Sequence, residues 1–165
     1  MCEGSNELEI VNILLENDAL IFTEDELLGL NPYHARQIKN NAQVQTALKM
    51  YFGNDVQVMR IGDKQSDRLL IPSDFKEKIC EIVKYCTLPE LEMLLIISEG
   101  LVREYEKVKS LVKPKVFAKE HIWFSDRRYD NSSQFYRDYY GPDCGKLIRA
   151  IREYKRIRGY STVSE

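Results

Sequence analysis

Apolar positions along this chain change spacing several times, and each change predicts an element. In residues 7–16 they fall at 8, 10, 11, 14 and 15, which fits a short helix better than a strand. Asn17-Asp18 breaks that pattern. Residues 19–23 form a compact apolar run with polar flanks, the pattern of a short buried strand, and Glu24-Asp25-Glu26 follow at once. Asn31-Pro32 opens a helix predicted over 33–51 and closed by Gly53-Asn54. Residues 56–61, with Val56, Val58 and Ile61, read as the clearest strand, ended by Gly62-Asp63. Residues 69–71 fit a further short strand stopped by Pro72. Ser73 and Asp74 then cap a helix carrying Phe75, Ile79, Ile82 and Val83 and ending near Cys86.

The second half reads as helices in succession. Thr87-Leu88-Pro89-Glu90 has capping-box spacing with proline in the first turn, ahead of Leu91, Leu94, Leu95, Leu101, Val102, Tyr105 and Val108 at helical spacing. One helix to about residue 111 is expected, with Gly100 in its interior at a cost of about 1 kcal/mol relative to alanine. A strand over 93–97 turning at Gly100 is the alternative. A shorter helix over 116–123 follows, then a polar loop over 125–131. A helix capped by Ser132 or Ser133 carries Phe135, Tyr136 and Tyr139, and the last helix runs over 143–158 before a frayed tail, 159–165. Trp123 and Phe124 are expected to anchor these helices to the core. The sum is a single small α/β domain over 1–165: two to three short parallel strands packed by about six helices. A mainly α fold with a small hairpin is the alternative.

Composition narrows the class. Apolar residues are 44% of the 165 and charged residues 30%, a globular balance in a length that supports one core. The longest apolar run, 94–97, is far short of a membrane span, and the acidic opening residues do not resemble a secretory leader. No membrane partner and a cytoplasmic location are therefore expected. Four cysteines, at 2, 80, 86 and 144, lack zinc-knuckle spacing and read as thiols, with Cys80 or Cys86 buried.

Charge changes the picture more. Residues 1–30 hold eight carboxylates and no Lys or Arg, whereas residues 113–160 hold twelve Lys or Arg against six Asp or Glu. Such sorting suits a nucleic-acid surface, a homodimer joined through opposite ends, or an internal contact between the two segments. On the last helix Leu147, Ile148, Ile151, Tyr154 and Ile157 make the expected buried stripe. Arg149, Arg152 and Arg156 lie opposite, and Arg127 and Arg128 sit upstream beside several tyrosines. Arginine interleaved with aromatics suits phosphates and stacked bases, so these five are the candidate nucleic-acid-binding residues. At the acidic end, Glu24 beyond the first strand, with Asp63 beyond the second and Asp67 or Glu99 as a third carboxylate, could share one Mg²⁺ with substrate phosphates, making Glu24 and Asp63 the catalytic candidates. The competing reading is a solvated helix start. His34 and His121 have no Ser, Cys or His at motif spacing, and the glycine loops lack phosphate-loop spacing.

Three stretches together carry a resemblance: residues 19–28, residues 88–100 continuing to Tyr105 and Lys109-Ser110, and Lys113-Pro114 with Phe117-Ala118-Lys119. From about residue 19 onward the chain resembles a group of small microbial proteins that bring no established activity. More remotely it is similar to Toprim-type nuclease domains, which set a Glu after the first strand and later aspartates on a metal. Glu24 matches that Glu; Asp63 and Asp67, four apart, stand where such domains carry Asp-x-Asp. The resemblance implies a metal-dependent phosphodiesterase in a defence or mobile-element setting. A non-catalytic interaction protein or homodimer is the alternative.

Overall fold

The computed structural model describes residues 1–62, 68–87 and 90–158. The chain divides into two compact units, residues 1–88 and 89–165. The described residues form seven α-helices, a two-stranded parallel sheet and a short antiparallel pair, an α/β fold. No helix among them is long and apolar enough to cross a membrane.

In the first unit, α1 (Ser5–Glu16) buries Ile10, Val11, Ile13 and Leu14 on one face, as its spacing predicts. The strand expected over 19–23 does not form: these residues are irregular, and Ile21 is 94% exposed. Among the described residues no strand pairs with the run, and an unpaired strand has nothing to hold it. The helix expected over 33–51 shrinks to α2 (Ala42–Met50), because Tyr33 and Ala35 give their backbone groups elsewhere. Cys2 donates to the Tyr33 carbonyl (2.7 Å) and accepts from Ala35 N–H (3.0 Å). Asn41 then caps α2 by accepting from Val44 N–H at 2.9 Å.

Residues 1–3 are stitched on their other side to β1 (Val56–Gly62): Ile61 N–H donates to the Met1 carbonyl and Glu3 N–H to the Ile61 carbonyl. On the opposite edge β1 pairs in parallel with β2 (Ile79–Cys86), in a register that sets Val58 against Ile82 and Ile61 against Tyr85. Here the sequence misleads. Phe75, Ile79, Ile82 and Val83 fit helical spacing, yet only Ser73–Phe75 turns, as a 3-10 segment. The β-formers that follow take the ladder offered by β1, a pairing no local pattern can reveal. Residues 69–71 are extended but belong to no strand. The Gln37 side-chain amide substitutes for a neighbour, donating to the Arg68 carbonyl (3.0 Å) and accepting from Leu70 N–H (2.9 Å). Leu69 thereby joins Ala35, Ile38, Val44, Leu48, Val58 and Phe75 in the core.

In the second unit α3 (Met93–Ser98) buries Met93, Leu94, Leu95 and Ile96, which settles the segment as helix. It does not continue to residue 111. Gly100 adopts φ +70°, its N–H bonds the Ile97 carbonyl, and Leu101 N–H bonds the Ile96 carbonyl. Those two bonds are a Schellman ending with Gly100 at the left-handed position, and α4 (Val102–Val108) starts afresh. Residues 88 and 89 of the capping box expected at 87–90 lie outside the described residues; Glu90 accepts from Lys115 N–H (2.8 Å) and so caps α5 (Pro114–His121). The loop expected over 125–131 contains a hairpin. β3 (Trp123–Phe124) and β4 (Arg127–Arg128) are joined by Ser125 and Asp126, both at positive φ, as a type I′ turn requires. Ser132, one of the two serines expected, caps α6 (Ser133–Tyr140), Asp143 caps α7 (Cys144–Ile157), and α3 packs on α7. The tail 159–165 lies outside the described residues.

Two side-chain placements depart from expectation. The buried cysteines are Cys2 and Cys144 rather than Cys80 or Cys86; all four remain thiols, and burial pushes the Cys2 and Cys144 thiols up. On α7 the fully buried positions are Cys144, Leu147 and Ala150, and Ile157 is exposed.

Candidate nucleic-acid interface

The exposed side of α7 is set by its buried stripe. With Leu147 and Ala150 turned inward, Arg149, Arg152 and Arg156, at spacings of three and four, share the opposite side over about 10 Å of axis. Arg149 lies 3.3 Å from Asp143 and Arg156 2.6 Å from Glu153, both pairs at the surface, with the arginines 70% and 74% exposed. The Arg156 guanidinium holds the Glu153 carboxyl below its ordinary range. Pairs this exposed are screened by solvent and contribute little, so a phosphate competes with them readily.

The hairpin arginines divide. Arg127 turns toward α6: its guanidinium donates to Asp138 (3.0 Å), to Asp130 (2.6 Å) and to Ser132 Oγ (2.9 Å), and lies 5.9 Å from the Phe135 ring centre. Bonding from Arg127, first, and from Ser132 holds the Asp130 carboxyl down at about 2. Arg127 therefore ties the hairpin to the start of α6. Arg128, its neighbour on β4, points to the other side. Its Nε donates to the Lys119 carbonyl, and its guanidinium carbon lies 6.0 Å from the Trp123 ring centre. Trp123 is not the core anchor expected; it is 55% exposed, while Phe124 packs edge-on against Tyr139.

Beneath this surface is a polar network that the sequence reading did not find. Glu92 is buried and accepts from Tyr129 Oη at 2.8 Å; Tyr129 Oη lies 3.1 Å from Tyr136 Oη. Burial and the Glu92 charge raise the Tyr129 phenol far above its ordinary value. Nearby, Tyr139 donates to Glu99, and Lys146 sits over the Tyr139 ring while reaching Glu99 at 3.5 Å. Glu92, Tyr129 and Tyr136 lie in the interior, and the contacts of Tyr139 and Lys146 with Glu99, nearer the surface, tie α6 and α7 to the end of α3.

At the acidic end, Glu24 begins a 3-10 turn (Glu24–Glu26) and follows no strand. Thr23 N–H donates to the Glu26 carboxylate (2.9 Å), a local cap, and all three acids are exposed. Asp63 and Asp67 lie outside the described residues. Among the described residues no three His, Cys, Asp or Glu side chains gather as a metal site. His34 is exposed and outside any helix; His121 stacks on Phe117 at 4.1 Å.

No protein family, curated protein or solved structure matches the chain.

Proposed function

We propose that this protein binds nucleic acid, with residues 89–158 supplying a cationic contact to the phosphate backbone. What carries the reading is the row Arg149, Arg152 and Arg156 on one exposed face of α7, held by nothing stronger than surface ion pairs. Arg128 adds a fourth cation on the hairpin, whereas Arg127 is committed to Asp130 and Asp138. Backbone contacts of this kind release counterions, so the affinity is set by salt rather than by sequence.

The test is anisotropy of a labelled oligonucleotide against the protein across a salt series. With three to four phosphates neutralised, log K for a duplex falls against log salt with a slope of about −3. The triple variant Arg149→Gln, Arg152→Gln, Arg156→Gln cuts that slope to about −1, the share left to Arg128, its fold checked by circular dichroism. Absence of binding at low salt ends the reading. Its hydrolytic form, with Glu24, Asp63 and Asp67 sharing Mg²⁺, is tested by oligonucleotide cleavage that EDTA abolishes. A cytoplasmic setting goes with this reading.

A second reading, a protein-binding or homodimerising module, draws on one observation in the first unit. Leu28, Tyr33, Ala42, Ala47, Met50 and Tyr51 line an open, mostly apolar groove of about 550 Å³, and Phe52, next in sequence to Tyr51, is 98% exposed. Exposed apolar patches of this kind commonly mark contacts. Sedimentation of the protein and of Phe52→Glu separates the readings: a dimer that the substitution dissolves favours the second.

A further inference from the structure

We infer that the β3–β4 hairpin is a base-stacking platform, so that the protein prefers single-stranded over duplex nucleic acid; this rests on the phosphate-binding reading above. The two strands sort their side chains by alternation. Phe124 and Arg127, directly opposite one another, face α6, where Phe124 meets Tyr139 and Arg127 is clamped to Asp138. Trp123 and Arg128 form the other cross-strand pair and take the opposite face. That face stays open: Trp123 remains 55% exposed, although Tyr129, Phe135, Tyr136, Tyr139 and Tyr140 around the hairpin are all buried.

The pair is also fixed in place. The inward face anchors the hairpin to α6, and the bond from Arg128 Nε to the Lys119 carbonyl holds the guanidinium beside the indole. A held aromatic plane with a cation at its side is what a base and its phosphate require. The charge around it agrees, since residues 113–160 carry twelve Lys or Arg against six Asp or Glu, and Lys119 is exposed on α5. Asp126, the carboxylate of the turn, is at the far end of the hairpin from Trp123 and Arg128. Bases inside a duplex are already stacked on each other, so the indole reaches only unpaired ones.

Trp123 is the single tryptophan of the chain, so its emission reports the platform directly. The full chain is titrated with an oligothymidylate of about 15 nucleotides, the span of one single-strand site, and with a duplex of equal length. The expected result is quenching by the single strand and little by the duplex. Trp123→Ala weakens single-strand binding about 5- to 150-fold, leaves duplex binding unchanged, and Trp123→Phe restores most of the loss. Single-strand binding without quenching, or Trp123→Ala binding normally, overturns the platform and leaves phosphate binding by α7 standing. No binding of either oligonucleotide at low salt overturns both. A blue-shifted emission on vesicles of phosphatidylcholine and phosphatidylserine in equal parts, with none of these nucleic-acid effects, assigns the indole to a membrane surface and overturns the platform.

Discussion

Replacing Gly100 with alanine tests the break between α3 and α4 by sign. Inside one continuous helix the change stabilises by about 1 kcal/mol, because alanine is the better helix former. At a left-handed C-terminal position the opposite holds. Gly100 sits at φ +70°, where a Cβ costs about 1–2 kcal/mol. A Cβ built there meets no atom within 4 Å, so no steric term is added and the backbone alone decides. Alanine also lowers the entropy of the unfolded chain, offsetting roughly 0.4–1 kcal/mol. A net loss of about 1 kcal/mol is expected, with a Tm lowered by about 4–8 °C for a unit of this size. Trp123 emission during urea unfolding is the appropriate probe, because the only tryptophan belongs to the same unit as Gly100. Gly100→Asn should fall between the two, since asparagine tolerates the left-handed region better. An alanine variant as stable as the parent, or more so, refutes the Schellman ending.

Other outcomes follow from the buried and clamped groups. Because the Asp130 carboxyl titrates at about 2 when folded, below its unfolded value near 3.8, its stabilising contribution is complete above the unfolded value and is lost as pH falls from about 4 to 2. Discounted for solvent exposure this is about 1 kcal/mol at most, and Arg127→Ala should flatten that limb of a stability–pH curve. Tyr129→Phe removes a donor from buried Glu92 and should cost about 1–3 kcal/mol in urea unfolding; a cost near zero means Glu92 is satisfied without it. With a thiol reagent on the native protein, exposed Cys80 should react first, and buried Cys2 and Cys144, their thiols pushed up, should lag by orders of magnitude. Peptide mapping showing Cys144 labelled as fast as Cys80 contradicts the burial described.

Legibility in the sequence followed how local each cause was. Helices α1, α6 and α7 carry both their apolar stripe and their stop signals within their own residues, and β1 its own β-formers; all four were readable. Strand β2 was not, since positions 75, 79, 82 and 83 satisfy helical spacing and only the distant β1 makes them a strand. The front of the helix expected at 33–51 failed for the same reason: its hydrogen-bonding groups answer Cys2. Gly100 interrupts a run of helical spacing, and only its left-handed φ shows that it ends one helix rather than weakening a longer one. At the interface the α7 row was plain from spacing. The split between Arg127 and Arg128 was hidden because a two-residue Ser-Asp turn lacks the usual Asn-Gly signal, and without the hairpin the alternation has no axis. Nor does residue type place Trp123, since composition cannot say which face of a two-residue strand is covered.

The stitching of residues 1–3 between Tyr33–Ala35 and β1 sets an order of events during synthesis. The amine of Met1 donates to the Met59 carbonyl at 2.8 Å, a partner 58 residues downstream. At ribosomal speed that partner follows about 3–12 s later. Until then residues 1–3 have only Tyr33–Ala35 to pair with, and the backbone edge they offer to β1 is empty. The pairing of β1 with β2 waits longer still, for residue 86. The ladder is therefore complete only after all of its segments are made, and through that interval its unpaired edges are open to unwanted neighbours.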